Sequence, residues 1–298
     1  MVIRHNLTAM EANRQLSINN DAESSSIEKL SSGYRINKAA DDAAGLAISQ
    51  KMISQIAGLN QGSTNAQDGV SLIQTAEGAA SETQSMLQRL KTLATQSSNG
   101  TLQSSDRAQI QTEVTQLKSE ITRLASTTTF NGINLLKNNN NKINFQVGGQ
   151  AGDVISITLS SANAGTLGTY NNGTIATMSS YDNGTGTVIS GVQATISNIS
   201  LSSQGGASAA LNVIDNAINQ ISTTRANFGA VQNRLQHTIT ATDNTSENLS
   251  SAESRIMDVD MASEMMNYSS QKVLVSAAQS MLSQANQNSQ GVLSLLQG

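Results

Sequence analysis

The chain contains no cysteine, proline or tryptophan, and only 2% of its 298 residues are aromatic. Without cysteine, disulfide frameworks, thiolate nucleophiles and cysteine-ligated metal sites are excluded. Without proline, no position is barred from a helix interior, so helices can run very long. Charged residues make up 13% of the chain and the formal net charge is −4. This balance argues against charge-driven disorder and against a basic surface for nucleic acid or an anionic membrane.

Long apolar segments are also missing. No stretch approaches the roughly 18 apolar residues of a membrane span. Residues 1–7 carry a charge but lack the apolar segment and small-residue cleavage site of a secretory signal peptide. If the protein leaves the cell, we therefore expect a route that does not cleave it.

Residues for catalysis are scarce. His5 and His237 have no partner motif around them, and the pair Asp41-Asp42 is interpreted as a helix-start cap. Asp258 and Asp260 are interpreted as one polar edge of a helix. No nucleotide, metalloprotease or hydrolase motif occurs in the sequence. The sequence therefore predicts no enzyme, no cofactor and no metal site.

What the sequence does contain is helical periodicity. Apolar residues from Ile110 to Leu124 are spaced 4-3-4-3, which is typical of a coiled-coil seam. A second stripe runs through residues 70–94 and ends at the polar run 96–100, which predicts a turn. The longest stripe, residues 211–259, predicts a rod on the order of 75 Å at about 1.5 Å per residue. We therefore predict a mainly α fold, a long antiparallel coiled-coil rod built from both ends of the chain.

The middle of the chain has the texture of strands and turns. Apolar and polar residues alternate in 143–147 and again in 155–159, which predicts a β-hairpin, and 130–132 predicts a turn. Residues 163–204 are rich in Gly, Thr, Ser and Asn. They are expected to form a short β/loop insert.

The two ends of the chain carry thin apolar stripes. The N-terminal stripe turns polar at Ser17, Asn20 and Ser24, and the C-terminal stripe runs through 261–285. The methionines at 257, 261, 265 and 266 are interpreted as part of a helix–helix seam. Because short helices with thin stripes are marginal in isolation, we expect both ends to be mostly disordered in a monomer and to fold when covered.

Several local motifs resemble those of bacterial flagellins, the subunits of the flagellar filament. In chain order these motifs are EKLSSGYRIN at 28–37, DDAAGLAI at 41–48, LQRLKTLA at 87–94, TFNG at 129–132, the segment 211–221, GAVQNRL at 229–235, ESRIMD at 253–258 and LSQANQ at 282–287. This resemblance implies an inner tube domain whose two halves are residues 1–44 and 259–298. It implies a helical-rod domain, which contains the β-hairpin and whose two halves are residues 45–162 and 205–258. Residues 163–204 would be a much reduced variable surface insert.

The resemblance implies a structural, extracellular subunit of the bacterial flagellum that polymerises with itself. It further implies unfolded export through the flagellar type III apparatus, a flagellin chaperone, and contacts with hook-associated and cap proteins. A hook–filament junction protein is the alternative. The residues expected to make filament contacts are Ile3, Leu7, Met265, Tyr268, Val275, Leu282, Val292 and Leu295.

A second implication concerns host recognition. Residues 87–96 and the following helix resemble the segment bound by the flagellin-sensing Toll-like receptor of animals. The matching positions are Gln88, Arg89, Leu93 and Glu113. Arg89 and Glu113 are expected to present opposite charges from adjacent antiparallel helices, with Leu93 as an apolar anchor between them.

Overall fold

The structure is a computed structural model that describes residues 6–137, 141–168, 181–182, 188–189 and 195–297, with the side chains of 289–297 outside the description. The described helices and strands are α1 (Leu7–Ser32), α2 (Ala43–Ser97), α3 (Ser104–Thr127), β1 (Thr129–Phe130), β2 (Ile133–Asn134), β3 (Asn141–Gln146), β4 (Val154–Leu159), β5 (Tyr181–Asp182), β6 (Val188–Ile189), α4 (Gln204–Met257) and α5 (Met261–Gln297). Long helices with short strands confirm the predicted mainly α fold. Within the described residues, none of the helices has the length and apolarity needed to cross a bilayer.

The contacts divide the chain into two compact units. The core unit is Gly58–Asn244, and the terminal unit combines Met1–Ala57 with Thr245–Gly298. The boundaries implied by the resemblance, 44/45 and 258/259, therefore differ from the structural ones. The difference arises because α2 and α4 each contribute residues to both units.

In the core unit, α3 and α4 both run antiparallel to α2. Contacts that pair early residues of α2 with late residues of α4 establish this direction: Ser63 with Asp243 at 2.9 Å, Glu77 with Arg225 at 2.8 Å and Lys91 with Asp215 at 2.6 Å. The predicted stripes form the core. Their fully buried members include Ile73, Ala76, Leu87 and Leu90 of α2, Val114 and Ile121 of α3, and Ile214, Phe228 and Leu235 of α4. The coiled-coil interpretation of these stripes is thereby confirmed.

The predicted β-hairpin is also confirmed. Strands β3 and β4 pair antiparallel, with Ile143 opposite Ile157 and Phe145 opposite Ile155. The hairpin packs on α2 so closely that a Cβ at Gly62 would lie 2.6 Å from the carbonyl oxygen of Val147. The helix therefore needs a residue without a side chain at this point.

The turn predicted at 130–132 joins β1 to β2. Asn131 and Gly132 both adopt positive φ angles, 48° and 78°. A two-residue hairpin of this kind requires left-handed backbone at both positions, which Asn and Gly tolerate best. The sequence motif thus predicts both the place and the type of the turn.

The predicted surface insert is wrong at both of its ends. Ala164, Leu167, Ile196, Ile199 and Leu201 are all buried in the core of this unit. Two backbone hydrogen bonds hold the ends together: Ile196 N–H donates to the Leu167 carbonyl at 3.0 Å, and Ser197 N–H donates to the Ala164 carbonyl at 2.8 Å. We call this pair of segments, 163–168 and 195–201, the neck. The neck is part of the core because its apolar side chains are buried, although Gly, Ser and Thr residues separate them in the sequence.

In the terminal unit, α1 and α5 pack antiparallel. Asn6 Nδ2 donates to the Ala285 carbonyl at 3.1 Å, whereas Tyr34, just past the other end of α1, forms a β-bridge with Asp258. Arg35 continues this contact, because its guanidinium donates to the Ile256 carbonyl at 2.6 Å. The end of α4 is thus bound by the segment that follows α1.

The predicted role of the Asp41-Asp42 pair as a helix-start cap is confirmed for Asp42 but not for Asp41. Asp42 Oδ1 accepts from Gly45 N–H at 2.9 Å and so caps the first turn of α2. Asp41 Oδ2 accepts from the N–H groups of Asn37 and Lys38 and closes the preceding loop.

The interpretation of Asp258 and Asp260 as one helix edge is wrong. The helix α4 ends at Met257, and Asp260 Oδ1 accepts from the N–H groups of Ala262 and Ser263, which begins α5. The long stripe therefore stops two residues before Val259. An Asp before a helical run is a start signal, and the continuing apolar period concealed it.

Candidate assembly surface and receptor segment

The contact between α1 and α5, here called the terminal seam, combines buried polar side chains of α1 with larger side chains of α5. On α1 the buried seam residues are Asn19 and Ser26. On α5, Val275 is buried, while Tyr268 and Leu282 are half-buried. Because burial of polar side chains contributes little stabilisation, we infer that this seam is weaker than a contact between two fully apolar stripes.

The polar part of the N-terminal stripe was predicted in the wrong phase. Ser17, Asn20 and Ser24 are exposed, and Asn19 and Ser26 take the inward positions. Leu16 and Leu30 are half-buried in the same phase, but the polar residues between them obscured the inward side.

Large apolar side chains lie instead on the outside of both helices. We call this exposed set the outward face: Leu7, Met10 and Ile18 of α1, and Met261, Met265, Met266, Val273, Leu274 and Met281 of α5. Leu7 is 66% exposed and Met266 is 68% exposed. Met266 and Val273 are seven residues apart, as are Leu274 and Met281, so each pair shares one side of the helix. This spacing was the signal that the sequence analysis missed.

The four methionines that were interpreted as part of a helix–helix seam differ in their exposure within the single chain. Met257 is 7% exposed and buried, but Met261, Met265 and Met266 are exposed. Their spacing is helical, yet the inward side of α5 is taken by Tyr268, Val275 and the residues in phase with them.

The residues predicted to make filament contacts thus fall into three groups. Leu7 and Met265 belong to the outward face. Tyr268, Val275 and Leu282 lie on the terminal seam, where they contact the same chain. Ile3 lies outside the described residues, and Val292 and Leu295 lie in α5 with side chains outside the description.

Charged groups stabilise the loop between α1 and α2. Lys38 Nζ lies 2.5 Å from Glu28 Oε2, and this hydrogen bond and charge raise the pKa of Lys38. Hydrogen bonds from the N–H groups of Lys38 and Asn37 lower the pKa of Asp41.

The segment predicted to bind the receptor lies in the core unit, on α2 and α3. Arg89 Nε donates to Glu113 Oε1 at 2.7 Å, and both side chains are about half exposed. This hydrogen bond, together with the charge of Glu113, raises the pKa of Arg89. Gln88 is exposed beside them. The structure thus brings the two predicted charges together on one surface.

The expectation that Leu93 is an apolar anchor for a partner is wrong for this structure. Its side chain is 2% exposed and belongs to the hydrophobic core. Leu93 follows Leu90 by three residues and continues the buried stripe of α2, a period already visible in the sequence.

Comparison with known proteins gives matches at both ends of the chain. The family described as the bacterial flagellin N-terminal helical region matches residues 3–141, and the C-terminal helical region of the same family matches residues 211–296. A flagellin of Halalkalibacterium halodurans is 44% identical over 296 residues, covering 99% of this chain and 100% of the relative. The flagellar filament 33 kDa core protein of Treponema phagedenis is 42% identical over 306 residues, with coverages of 99% and 100%.

A solved structure has a similar fold at low sequence identity. It is assigned as a flagellar hook-associated protein of Vibrio parahaemolyticus, and it covers 73% of this chain and 100% of its own, with a TM-score of 0.54 and 14% identity. At this identity the likeness concerns the fold alone.

Proposed function

Because the chain belongs to the bacterial flagellin family, we propose that neighbouring subunits cover the outward face of α1 and α5 and so stabilise the filament. As a flagellin, the protein is a structural subunit of the extracellular flagellar filament, not an enzyme, and it polymerises with itself. The junction-protein alternative is less well supported, since relatives of 42–44% identity are filament proteins.

The observation that carries the proposal is the inverted distribution of apolar side chains in the terminal unit. The terminal seam encloses Asn19 and Ser26, while Leu7, Met266 and Val273 face solvent. Burying one large apolar side chain contributes about 1.5–3 kcal/mol. Contact with further copies would therefore stabilise these helices more than their contact with each other does. Subunits that join head to tail without closing form an open helical filament.

The same distribution supports a coupling of folding to assembly. A weak seam lets α1 and α5 separate and unfold at small cost in the isolated subunit. We propose that the chain is exported unfolded through the flagellar type III apparatus and that the terminal helices become ordered when other subunits cover them.

Charge placed on the outward face tests the proposal. Met266→Asp and Val273→Asp would put a carboxylate where a neighbour is expected to bury an apolar side chain. We expect seeded polymerisation to be lost, as measured by sedimentation and electron microscopy. The monomer's melting transition, followed by circular dichroism, should remain because both side chains are exposed.

Asn248→Asp is the matched control. It adds the same charge to an exposed position of the terminal unit, on α4 rather than on the outward face. The control should polymerise like the unmodified protein. Normal filament growth of both outward-face variants would contradict the proposed role of this face.

Before export, the outward face is an aggregation hazard. We propose that a flagellin chaperone covers its α5 part, and that hook-associated and cap proteins contact it at the filament ends. Co-purification of the chaperone with the chain should be lost in the Met266→Asp variant. Unchanged co-purification would place the chaperone contact elsewhere.

A second proposed function is recognition by the animal Toll-like receptor. The observation that favours it is the exposed ion pair between Arg89 and Glu113, which joins two helices of the core unit. Rim charges of this kind chiefly set the association rate and the salt dependence of binding. Arg89→Ala should therefore weaken receptor activation in a reporter assay while polymerisation stays measurable.

Arg123→Ala provides the control, because Arg123 forms an equally exposed ion pair with Glu120 on the same helix, α3. It should signal normally. Equal signalling by both variants and the unmodified protein would exclude Arg89 from the receptor contact.

A further inference from the structure

Methionine is distributed unequally between the two units. The buried core cluster, taken over the described residues, consists of Leu, Ile, Val, Ala and Phe side chains and contains no methionine. The terminal unit, in contrast, carries five exposed methionines, each between 49% and 68% exposed: Met10, Met261, Met265, Met266 and Met281. Only Met257 of that unit is shown as buried, at 7% exposure.

These side chains also carry exposed sulfur atoms that an oxidant can reach. The sequence contains no cysteine, so no thiol competes with the thioethers for an oxidant. A hydroperoxide oxidises a thioether in a two-electron step: its O–O bond breaks, one oxygen atom is transferred to sulfur as S=O, and water or an alcohol leaves. The sulfur is oxidised and the peroxide is reduced, so no further reactant is required.

The product has the opposite preference for burial. Methionine is flexible and polarisable and fits irregular apolar contacts well. Methionine sulfoxide is polar, and a polar group buried without a partner is destabilising. Oxidation would therefore convert an apolar contact surface into one that resists burial.

We propose that the five exposed methionines are a reversible oxidation site, at which sulfoxide formation on the free subunit blocks assembly. The inference rests on the proposed function of the outward face. Four of the five lie on α5 and Met10 lies on α1, so both helices of that face lose apolar character together. Sulfoxide reductases restore the thioether with two electrons from thiols, which are oxidised to a disulfide while the oxygen atom leaves as water, and assembly competence returns with the thioether.

The first test is chemical selectivity in the full-length monomer. Limited hydrogen peroxide treatment followed by peptide mass spectrometry should show the five exposed methionines oxidised before Met86, which is half-buried against the core cluster. Equal oxidation rates at these five positions and at Met86 would overturn the inference. This readout does not depend on polymerisation.

The second test is assembly. Peroxide-treated protein should lose seeded growth and regain it after incubation with methionine sulfoxide reductases. A variant with leucine at all five positions should grow after the same treatment, because leucine conserves volume and helix propensity. Normal growth of the oxidised unmodified protein would overturn the inference, as would loss of growth in the treated leucine variant.

Two further variants keep the test decisive. They apply if the fivefold leucine variant does not assemble even without peroxide. Met266→Gln and Met281→Gln each place a polar side chain of similar length at one of the exposed positions. Each should lower the yield of filaments. Unchanged yields in both would overturn the inference. If Met266→Asp blocks growth while oxidised protein grows normally, only the redox inference fails. If Met266→Asp and Val273→Asp both grow normally, the outward-face proposal itself fails.

Discussion

At the scale of single residues, the close approach of the β-hairpin to α2 explains Gly62. A Cβ added there would lie 2.6 Å from the backbone of Val147, which cannot move away as a flexible side chain could. We predict that Gly62→Ala lowers the free energy of unfolding of the core unit by about 1–3 kcal/mol through overpacking. Thermal melting followed by circular dichroism measures the effect.

Gly78 in the same helix is the matched control. A Cβ at this position meets nothing within 4 Å. Gly78→Ala should therefore stabilise the core unit by about 0.5–1 kcal/mol, the usual gain of alanine over glycine inside a helix. A loss of stability in both variants, or in neither, would mean that the hairpin does not set the requirement at Gly62.

The Asp41 carboxylate predicts a pH dependence of the terminal unit. Hydrogen bonds from the N–H groups of Lys38 and Asn37 lower its pKa below the ordinary value of 3.8. A carboxyl with a lower pKa when folded stabilises the folded state above the unfolded pKa, and the contribution is lost as the pH falls through the folded pKa.

Asp41→Asn should consequently lower the melting temperature near neutral pH and approach the unmodified protein in acid. Asp21→Asn, which removes the same charge from an exposed position on α1, is the control and should show no such convergence. A constant difference from neutral pH down to about pH 2 would mean that ionisation of Asp41 does not stabilise the loop.

The inward side of a helix could be predicted from the sequence only where apolar residues dominate that side. In α3, Val114 and Ile121 occupy the inward phase and the sequence identified them. In α1, the inward side holds Asn19 and Ser26 between Leu16 and Leu30, so its hydrophobic period is interrupted. Leu93 shows a further difficulty of sequence-based prediction. It lies in the segment that resembles the receptor-binding one and was predicted to be a surface anchor, but its side chain is buried.

At the scale of elements, the neck lies at the two ends of residues 163–204, the region that the sequence predicted to be a surface insert. Its backbone hydrogen bonds join Leu167 to Ile196 and Ala164 to Ser197. Further bonds fix it to the helices, since Ser97 Oγ donates to the Leu201 carbonyl at 2.6 Å. The neck is therefore part of the folded core unit.

We predict that residues 169–194 can be replaced by a short Gly/Ser turn with little change in melting temperature. Since Leu167 and Ile196 are already hydrogen-bonded, a few residues suffice to connect them. Removal of 163–204 should instead destabilise the core unit severely, because it deletes buried Leu167, Ile196 and Leu201. Each such deletion of a buried large aliphatic side chain costs about 2–5 kcal/mol.

Circular dichroism melting of the two deletions is the measurement. Equal stability of both would show that the neck contributes nothing to the core unit. The sequence predicted the β-hairpin and the long helices because their periods are regular. It did not predict the neck, where five buried apolar residues are separated by irregular polar ones.

At the scale of the whole molecule, the prediction concerns what assembly orders. The terminal seam is weak and the outward face is uncovered in the single chain. Backbone amides of α1 and α5 should exchange with deuterium rapidly in the monomer and slowly in the filament. The buried helices of the core unit should be protected in both states.

Hydrogen exchange followed by mass spectrometry distinguishes these regions. Full protection of α1 and α5 in the monomer would mean that folding is not coupled to polymerisation. Peptides from α3, whose Val114 and Ile121 are buried, serve as the internal control.

The neck also determines what the chain can tolerate over evolutionary time. A segment whose two ends are already held by hydrogen bonds adds only loop-closure entropy when it grows, about 0.6 kcal/mol for each doubling of its length. Recombination can therefore insert or remove whole segments between Gly168 and Thr195 while the helices and their contacts stay the same. Selection on the segment between Gly168 and Thr195 can then proceed separately from selection on the folding of the core unit.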